Sequence, residues 1–211
     1  MTLIKICGIT NPLDALAAKS AGADFLGIIQ VPNTPRFVGD EQIVREIGED
    51  AGSLPIVGVF KSLAAAEQCP WKALFQYFQV YEMDIDAAPS TPTIFCLRVH
   101  ELEIALSEPV PTHAEILLLD AYHPDKLGGA GQIFDWTIFN KVREHFQRST
   151  FLAGGLKPEN VQDAVQLAHP FGVDVSSGVE ASPGQKDHEK LHQFVRSVRA
   201  ADVKLKETIS T

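Results

Sequence analysis

Short apolar runs alternate with helix-like stretches from one end of this chain to the other, and no other feature restricts its fold as strongly. Strand-like runs are read at Leu3–Cys7, Phe25–Ile29, Pro55–Phe60, Tyr77–Val80, Thr93–Val99, Glu115–Asp120, Phe151–Ala153 and Val173–Val175. The sixth contains Ile116-Leu117-Leu118-Leu119, a run short enough for a buried strand. Between them the spacing predicts a helix over Pro12–Ala21, with Leu13, Leu16 and Ala17 at helical intervals, Asn11-Pro12 as its start signal and Gly22 as its stop. Further helices are expected from Asp40, as cap, to about Glu49, over Ser62–Glu67 and over Glu101–Leu106. Three more follow: from Phe134 or Asp135 to about Gln147, over Pro158–Leu167 and over Gln185–Ala200. Pro89 and Pro92 forbid a regular helix after the fourth strand, and Pro109 with Pro111 closes the short helix after the fifth.

Eight strands, each followed by a helix or its remnant, specify a single (β/α)8 barrel domain over residues 1–211, with shortened or missing helices around the fourth and fifth units. An open doubly wound sheet is the alternative. It offers no reason for glycine loops after both of the last two strands, Gly154-Gly155 and Ser176-Ser177-Gly178.

In parallel α/β folds, chemistry collects where strands end. Cys7 sits at such an edge, ahead of Gly8. A thiol there serves as base or nucleophile if its pKa is lowered, or simply as a small buried hydrophobe. Lys5, two residues earlier and hence on the same strand face, could favour the thiolate or pair with an interior carboxylate such as Asp174. Arg36 stands between Pro35 and Phe37 in the loop after the second strand, placed either to clamp a carboxylate or to form a surface salt bridge. Glycine loops after the seventh and eighth strands of a barrel are where backbone N–H groups commonly hold phosphate, which nominates Gly154, Gly155, Ser176, Ser177 and Gly178. Gln79 and Asp120 end predicted strands and are candidates to line the pocket, whereas Trp71, Phe75 and Phe78 read as core.

The net charge of −9 argues against nucleic acid as a main partner. No apolar run reaches the roughly 18 residues a membrane span requires, and no signal peptide is read at the N-terminus. Three widely spaced cysteines without a CxxC argue against a disulfide framework or a zinc site, and the seven histidines show no ligand spacing, so no metal is expected. A cytoplasmic location fits that cysteine usage.

Five stretches in order resemble the phosphoribosylanthranilate isomerase family of tryptophan biosynthesis: Lys5–Thr10, Pro35–Val38, Gly128–Trp136, Ala153–Leu156 and Asp174–Glu180. The resemblance spans nearly the whole chain and implies an α/β barrel without a cofactor, monomeric or homodimeric, acting on a small phosphorylated substrate. The implied reaction is an Amadori rearrangement of an aminoaldose to an aminoketose. It needs an acid to open the furanose ring and a base to remove the C2 proton of the resulting Schiff base. By resemblance Cys7 is that base and Asp135 that acid, and Arg36 holds the anthranilate carboxylate. Read by itself, an Asp ahead of a helix is as readily an N-cap. As base, Cys7 is expected to have a pKa below the ordinary thiol value of about 8.5. Two departures stand out. Gln79-Val80-Tyr81-Glu82 replaces the family's Gln-Leu-His-Gly, and Ala130 replaces a threonine. They leave two other readings open: a related sugar-phosphate isomerase for a different aminoaldose, or a catalytically silent barrel binding a phosphorylated ligand.

Overall fold

The computed structural model describes residues 1–99, 102–121 and 136–209. Eight parallel strands close into a barrel in sequential order: β1 (Leu3–Cys7), β2 (Phe25–Ile29), β3 (Ile56–Ser62), β4 (Tyr77–Glu82), β5 (Thr93–Val99), β6 (Ile116–Ala121), β7 (Ser149–Leu152) and β8 (Gly172–Val175). β8 returns to β1, which sets Lys5 opposite Asp174. The helices are α1 (Pro12–Ala21), α2 (Glu41–Ala51), α3 (Leu63–Gln68), α4 (Leu102–Ser107), α5 (Trp136–Phe146), α6 (Val161–Ala168) and α7 (His188–Ile209). No helix separates β4 from β5, and α4 has only six residues, so the trimming expected around the fourth and fifth units is present. Among the described residues no helix is long and apolar enough to cross a membrane.

The N-caps act as the side chains require. Asn11 accepts from the Asp14 N–H at 2.9 Å, Asp40 from Gln42 at 2.8 Å and Ser62 from Ala65 at 3.2 Å. Each such cap is worth about 1 kcal/mol. The apolar residues divide into two layers. Ile4, Ile6, Leu26, Ile28, Leu117 and Leu119 face outward and pack beneath the helices. Phe25, Val57, Ile94, Cys96, Leu118 and Phe151 fill the interior. Phe25 meets Tyr77 and Phe151 edge-on, at 5.6 and 5.8 Å between ring centroids. These rings pack together inside the barrel.

Three expectations change. Leu13 and Leu16 are exposed, at 72% and 48%, and α1 buries Asp14, Ala15 and Ala18 instead. Small side chains let α1 lie close to its neighbours, and Asp14 is buried because it accepts hydrogen bonds from Asn11, Lys186 and the ring of His188. α6 begins at Val161 rather than Pro158, because Asn160 holds the preceding turn. Its Oδ1 accepts from Lys157 N–H at 2.9 Å and its Nδ2 donates to the Gly155 carbonyl at 3.0 Å. The last helix begins at His188, not Gln185. Gln185–Lys186 is strand β10, paired antiparallel with β9 (Glu180–Ser182) in a small hairpin. The start of α4 at Glu101 and the loop and helix start between Tyr122 and Asp135 lie outside the described residues.

Candidate active site

A cavity of roughly 800 Å³, counted with its open mouth, occupies the C-terminal end of the barrel. Its size is that of a small-molecule site. Of the eight residues nominated from the sequence, seven line it: Cys7, Arg36, Gly154, Gly155, Ser176, Ser177 and Gly178. Asp135 lies outside the described residues. Gln79 and Asp120 line the cavity too, with Tyr81 near them, and Ile29, Val31, Val59 and Leu118 supply an apolar wall.

Cys7 ends β1 with its side chain inward and is 5% exposed. Its neighbour across the β1–β2 ladder is Gly27. A Cβ at Gly27 would lie 2.8 Å from Cys7 Sγ and 3.1 Å from Lys5 Nζ. The missing side chain is therefore what lets thiol and ammonium share that space. Sequence reading passed over Gly27, although a glycine inside an apolar strand is a signal of close approach.

Lys5 is fully buried and donates to Asp174 Oδ1 at 2.7 Å. Burial pulls its pKa down, but the charges and hydrogen bonds of Asp174 and Cys7 outweigh this and hold the ammonium protonated. The Cys7 thiol does not follow the expected direction. Burial raises its pKa, and the attraction of Lys5 and then Lys186, opposed by Asp174, offsets that only in part. The physical reason is that Lys5 is already paired with a carboxylate, so its charge acts on the thiol largely neutralised. Cys96, also buried in the barrel, is raised further, by burial first and then by Asp120 and Asp174.

Arg36 is paired within the protein. Its Nε and Nη2 donate to the two carboxylate oxygens of Glu180 at 2.8 and 2.6 Å. Two of a guanidinium's five N–H donors are thus committed, and the pair is largely buried, at 14% and 4% side-chain exposure. The simple choice between clamp and surface salt bridge fails, because Arg36 lines the cavity while an internal carboxylate takes one edge of its fork. Lys186, fully buried at its side chain, donates to Glu180 Oε1 at 2.9 Å and to the Cys7 carbonyl at 2.7 Å. Burial disfavours the Glu180 carboxylate, but Arg36 and Lys186 together lower its pKa. Neither Glu180 nor Lys186 was nominated from the sequence.

The two glycine loops meet. Gly154 and Gly155 have φ of +84° and +67°. A Cβ on Gly178 would overlap the Leu156 carbonyl, so only glycine allows the loop after β8 to lie on the loop after β7. Ser176 Oγ and Gln79 Oε1 both face the cavity region, are buried, and have no hydrogen-bond partner among the described residues. Such atoms are costly unless a ligand or water meets them. Among the described residues no three His, Cys, Asp or Glu side chains gather as metal ligands.

Residues 4–197 match the family model described as N-(5'phosphoribosyl)anthranilate (PRA) isomerase. A relative from Magnetococcus marinus, named N-(5'-phosphoribosyl)anthranilate isomerase, is 38% identical over 204 residues, covering 94% of this chain and 95% of that protein. The crystal structure of phosphoribosyl anthranilate isomerase from Thermotoga maritima superposes with a TM-score of 0.79 at 31% identity, covering 95% of this chain and 100% of that one. A second isomerase structure, in complex with reduced 1-(o-carboxyphenylamino)-1-deoxyribulose 5-phosphate, has a TM-score of 0.76 at 30% identity, with coverage of 95% and 100%.

Proposed function

Because the chain belongs to the N-(5'-phosphoribosyl)anthranilate isomerase family, we propose that its cavity carries out that reaction with Cys7 as general base, Asp135 as general acid, Arg36 on the anthranilate carboxylate and the two glycine loops on the phosphate. The chain is an isomerase of tryptophan biosynthesis, converting N-(5-phosphoribosyl)anthranilate to 1-(2-carboxyphenylamino)-1-deoxyribulose 5-phosphate. The observation that carries the residue assignment is the convergence of Cys7, Arg36 and the Ser176–Gly178 loop on a single cavity with an apolar wall.

The phosphate sits against the loops after β7 and β8, where backbone N–H groups and Ser176 Oγ receive its oxygens. The aryl ring lies on the side of Ile29 and Val31, within reach of the Arg36 donors that Glu180 leaves uncommitted. Asp135 protonates the furanose ring oxygen, the C1–O bond breaks, and a Schiff base forms between C1 and nitrogen. The Cys7 thiolate then takes the C2 proton, the C2–H electron pair forms the C1–C2 double bond as the C1–N π pair returns to nitrogen, and the enolamine tautomerises to the ketone. Lys5 keeps its charge on the Cys7 side of the site, and stabilises the thiolate relative to a site with no cation. No cofactor enters the scheme. One domain over residues 1–211, a monomeric or homodimeric assembly and a cytoplasmic location complete the reading.

The test is turnover of freshly generated phosphoribosylanthranilate, followed by loss of its fluorescence, with Cys7→Ala as control. Turnover by wild type that disappears in the control supports both the substrate and the base. A folded wild type without turnover rules out the substrate.

A further inference from the structure

Lys186 is the one buried ammonium around the site, among the described residues, that the reaction scheme leaves unused. Its side chain is fully buried, and an unpaired charge there would cost several kcal/mol. It is compensated by three acceptors, each from a different working part of the site. They are the Cys7 carbonyl at 2.7 Å, the Ser176 carbonyl at 3.1 Å and Glu180 Oε1 at 2.9 Å. The first belongs to the residue that carries the base. The second opens the loop assigned to phosphate, and the third is the carboxylate that takes one edge of Arg36.

The backbone around Lys186 is fixed as firmly as its head group. Its N–H donates to buried Asp14 on α1 at 3.0 Å. The hairpin turn docks on the loop after β1 through Thr10 Oγ1, which donates to the Gly184 carbonyl at 2.5 Å. Lys190 on α7 donates to the Glu180 carbonyl at 3.0 Å. A buried apolar side chain would fill this space without the desolvation cost, so packing alone does not account for a lysine here.

We propose that Lys186 is a positioning residue for the isomerisation, its ammonium holding the Cys7 strand end, the Ser176 loop and the Glu180–Arg36 pair in one geometry. The proposal rests on the isomerase reading above. It gives the β9–β10 hairpin a purpose: a clasp across the loops after β1, β2 and β8. It also places a second cation near the thiol. The charged and titratable groups that act on Cys7 are Lys5 on β1, Asp174 on β8 and Lys186 on β10, with Arg36 from the loop after β2 and Tyr81 on β4 also within its field.

The experiment compares wild type with Lys186→Met, which keeps the length and removes the charge, and with Glu180→Gln. The pKa of Cys7 is read without substrate, from the pH dependence of its iodoacetamide modification resolved by peptide mass. In Lys186→Met it should rise by about one unit, and kcat should fall at least tenfold. Glu180→Gln loosens Arg36 and weakens one of the three contacts of Lys186, but the Cys7 and Ser176 carbonyls still hold the ammonium, so the thiol should stay near its wild-type value while KM rises several-fold. A folded Lys186→Met with an unchanged thiol pKa overturns the proposal even if its melting temperature drops, since that would be a structural strut only. Should Lys186→Met not fold, Glu180→Gln decides: a raised KM supports the clasp and an unchanged KM overturns it. The thiol reading needs no turnover, so failure of the isomerase assignment would show separately, as an inactive wild type.

Discussion

Two buried thiols face the inside of the same barrel on opposite arcs, and their surroundings differ in kind. Cys7, at the end of β1, has Lys5 on its own strand and Lys186 on its carbonyl, and a glycine beside it makes room. Cys96, in the middle of β5, sits among Phe25, Val57, Ile94 and Leu118, and the carboxylates of Asp120 and Asp174 push its pKa further above the ordinary value. Burial acts on both in the same direction. In the proposed scheme, what separates the base from a packing residue is the supply of positive charge, which ranks ahead of the carboxylate at Cys7 and behind two carboxylates at Cys96, where Arg98 and Lys5 act more weakly. That supply is built into the arc β8–β1–β2, where ion pairs and the hairpin tie the loops together. The arc β4–β5 lacks a connecting helix and carries the changed residues Tyr81 and Glu82.

The largest effect should come from exchanging the two thiols' fates. Cys7→Ala should reduce kcat by about 10²–10⁴, the usual contribution of a general base, while still binding a product analogue. Cys96→Ala should leave kcat within about twofold and cost roughly 1 kcal/mol of stability, as a small core deletion does. Equal kinetic losses in both variants would erase the distinction. The same contrast has a pH signature. Since burial raises Cys7, the thiolate form grows as pH rises, and kcat/KM should climb through and beyond the ordinary thiol value of about 8.5. A limb complete by pH 7 would mean that Lys5 and Lys186 outweigh burial.

Next in size is Gly27→Ala. The added methyl has no flexible surface partner to push aside, because it meets Cys7 Sγ at 2.8 Å, the Cys7 backbone at 3.1 Å and Lys5 Nζ at 3.1 Å. A thiol displaced by a fraction of an ångström loses alignment with C2, and kcat should drop by about 10–100-fold with the barrel intact by circular dichroism. A wild-type rate would show that the thiol's exact seat does not matter.

Arg36→Lys should follow, with KM raised about tenfold, because a lysine cannot hold Glu180 with one edge and a second carboxylate with another. If KM is unchanged, Arg36 serves only the internal pair with Glu180.

How this arrangement was written in the sequence differs between the arcs. The barrel was legible because its signals are local: caps at Asn11, Asp40 and Ser62, prolines after β4, and apolar runs of strand length. The pairing of Lys5 with Asp174 was among the options too, since closing the barrel makes β8 the neighbour of β1. The hairpin was not, and with it Glu180 and Lys186. Ser182-Pro183-Gly184 is a turn signal, but the charged, helix-compatible residues after it read as the start of the last helix. What settles the hairpin is non-local: Thr10 and Asp14, more than 170 residues away, receive it. The direction of the Cys7 pKa is likewise set by non-local surroundings. Sequence placed Lys5 near the thiol but could not weigh full burial against an ammonium already shared with Asp174. Leu13 and Leu16 misled because helical spacing marks a face without saying that small residues are needed there.

The smallest effect tests whether the β4–β5 arc is as permissive as its trimmed structure implies. Glu82 ends β4 and pairs with Lys61 at 3.4 Å, with both side chains more than half exposed, at 56% and 60%. An exposed pair of this kind contributes about 0–1 kcal/mol. Two residues earlier along the strand, on the same side of the alternation, Val80 is fully buried under the helices, so Glu82 belongs to the outer face and Tyr81 to the cavity. Glu82→Gln removes the charge and keeps the shape. The expected outcome is a melting temperature within about 2 °C of wild type, the size of shift that a few tenths of a kcal/mol produces in a domain of this length, with kcat and KM unchanged. A loss of activity would mean that a charge on the outside of this arc reaches the substrate. The division of labour between the two sides of the barrel would then be wrong, however well the Cys7 variants behaved.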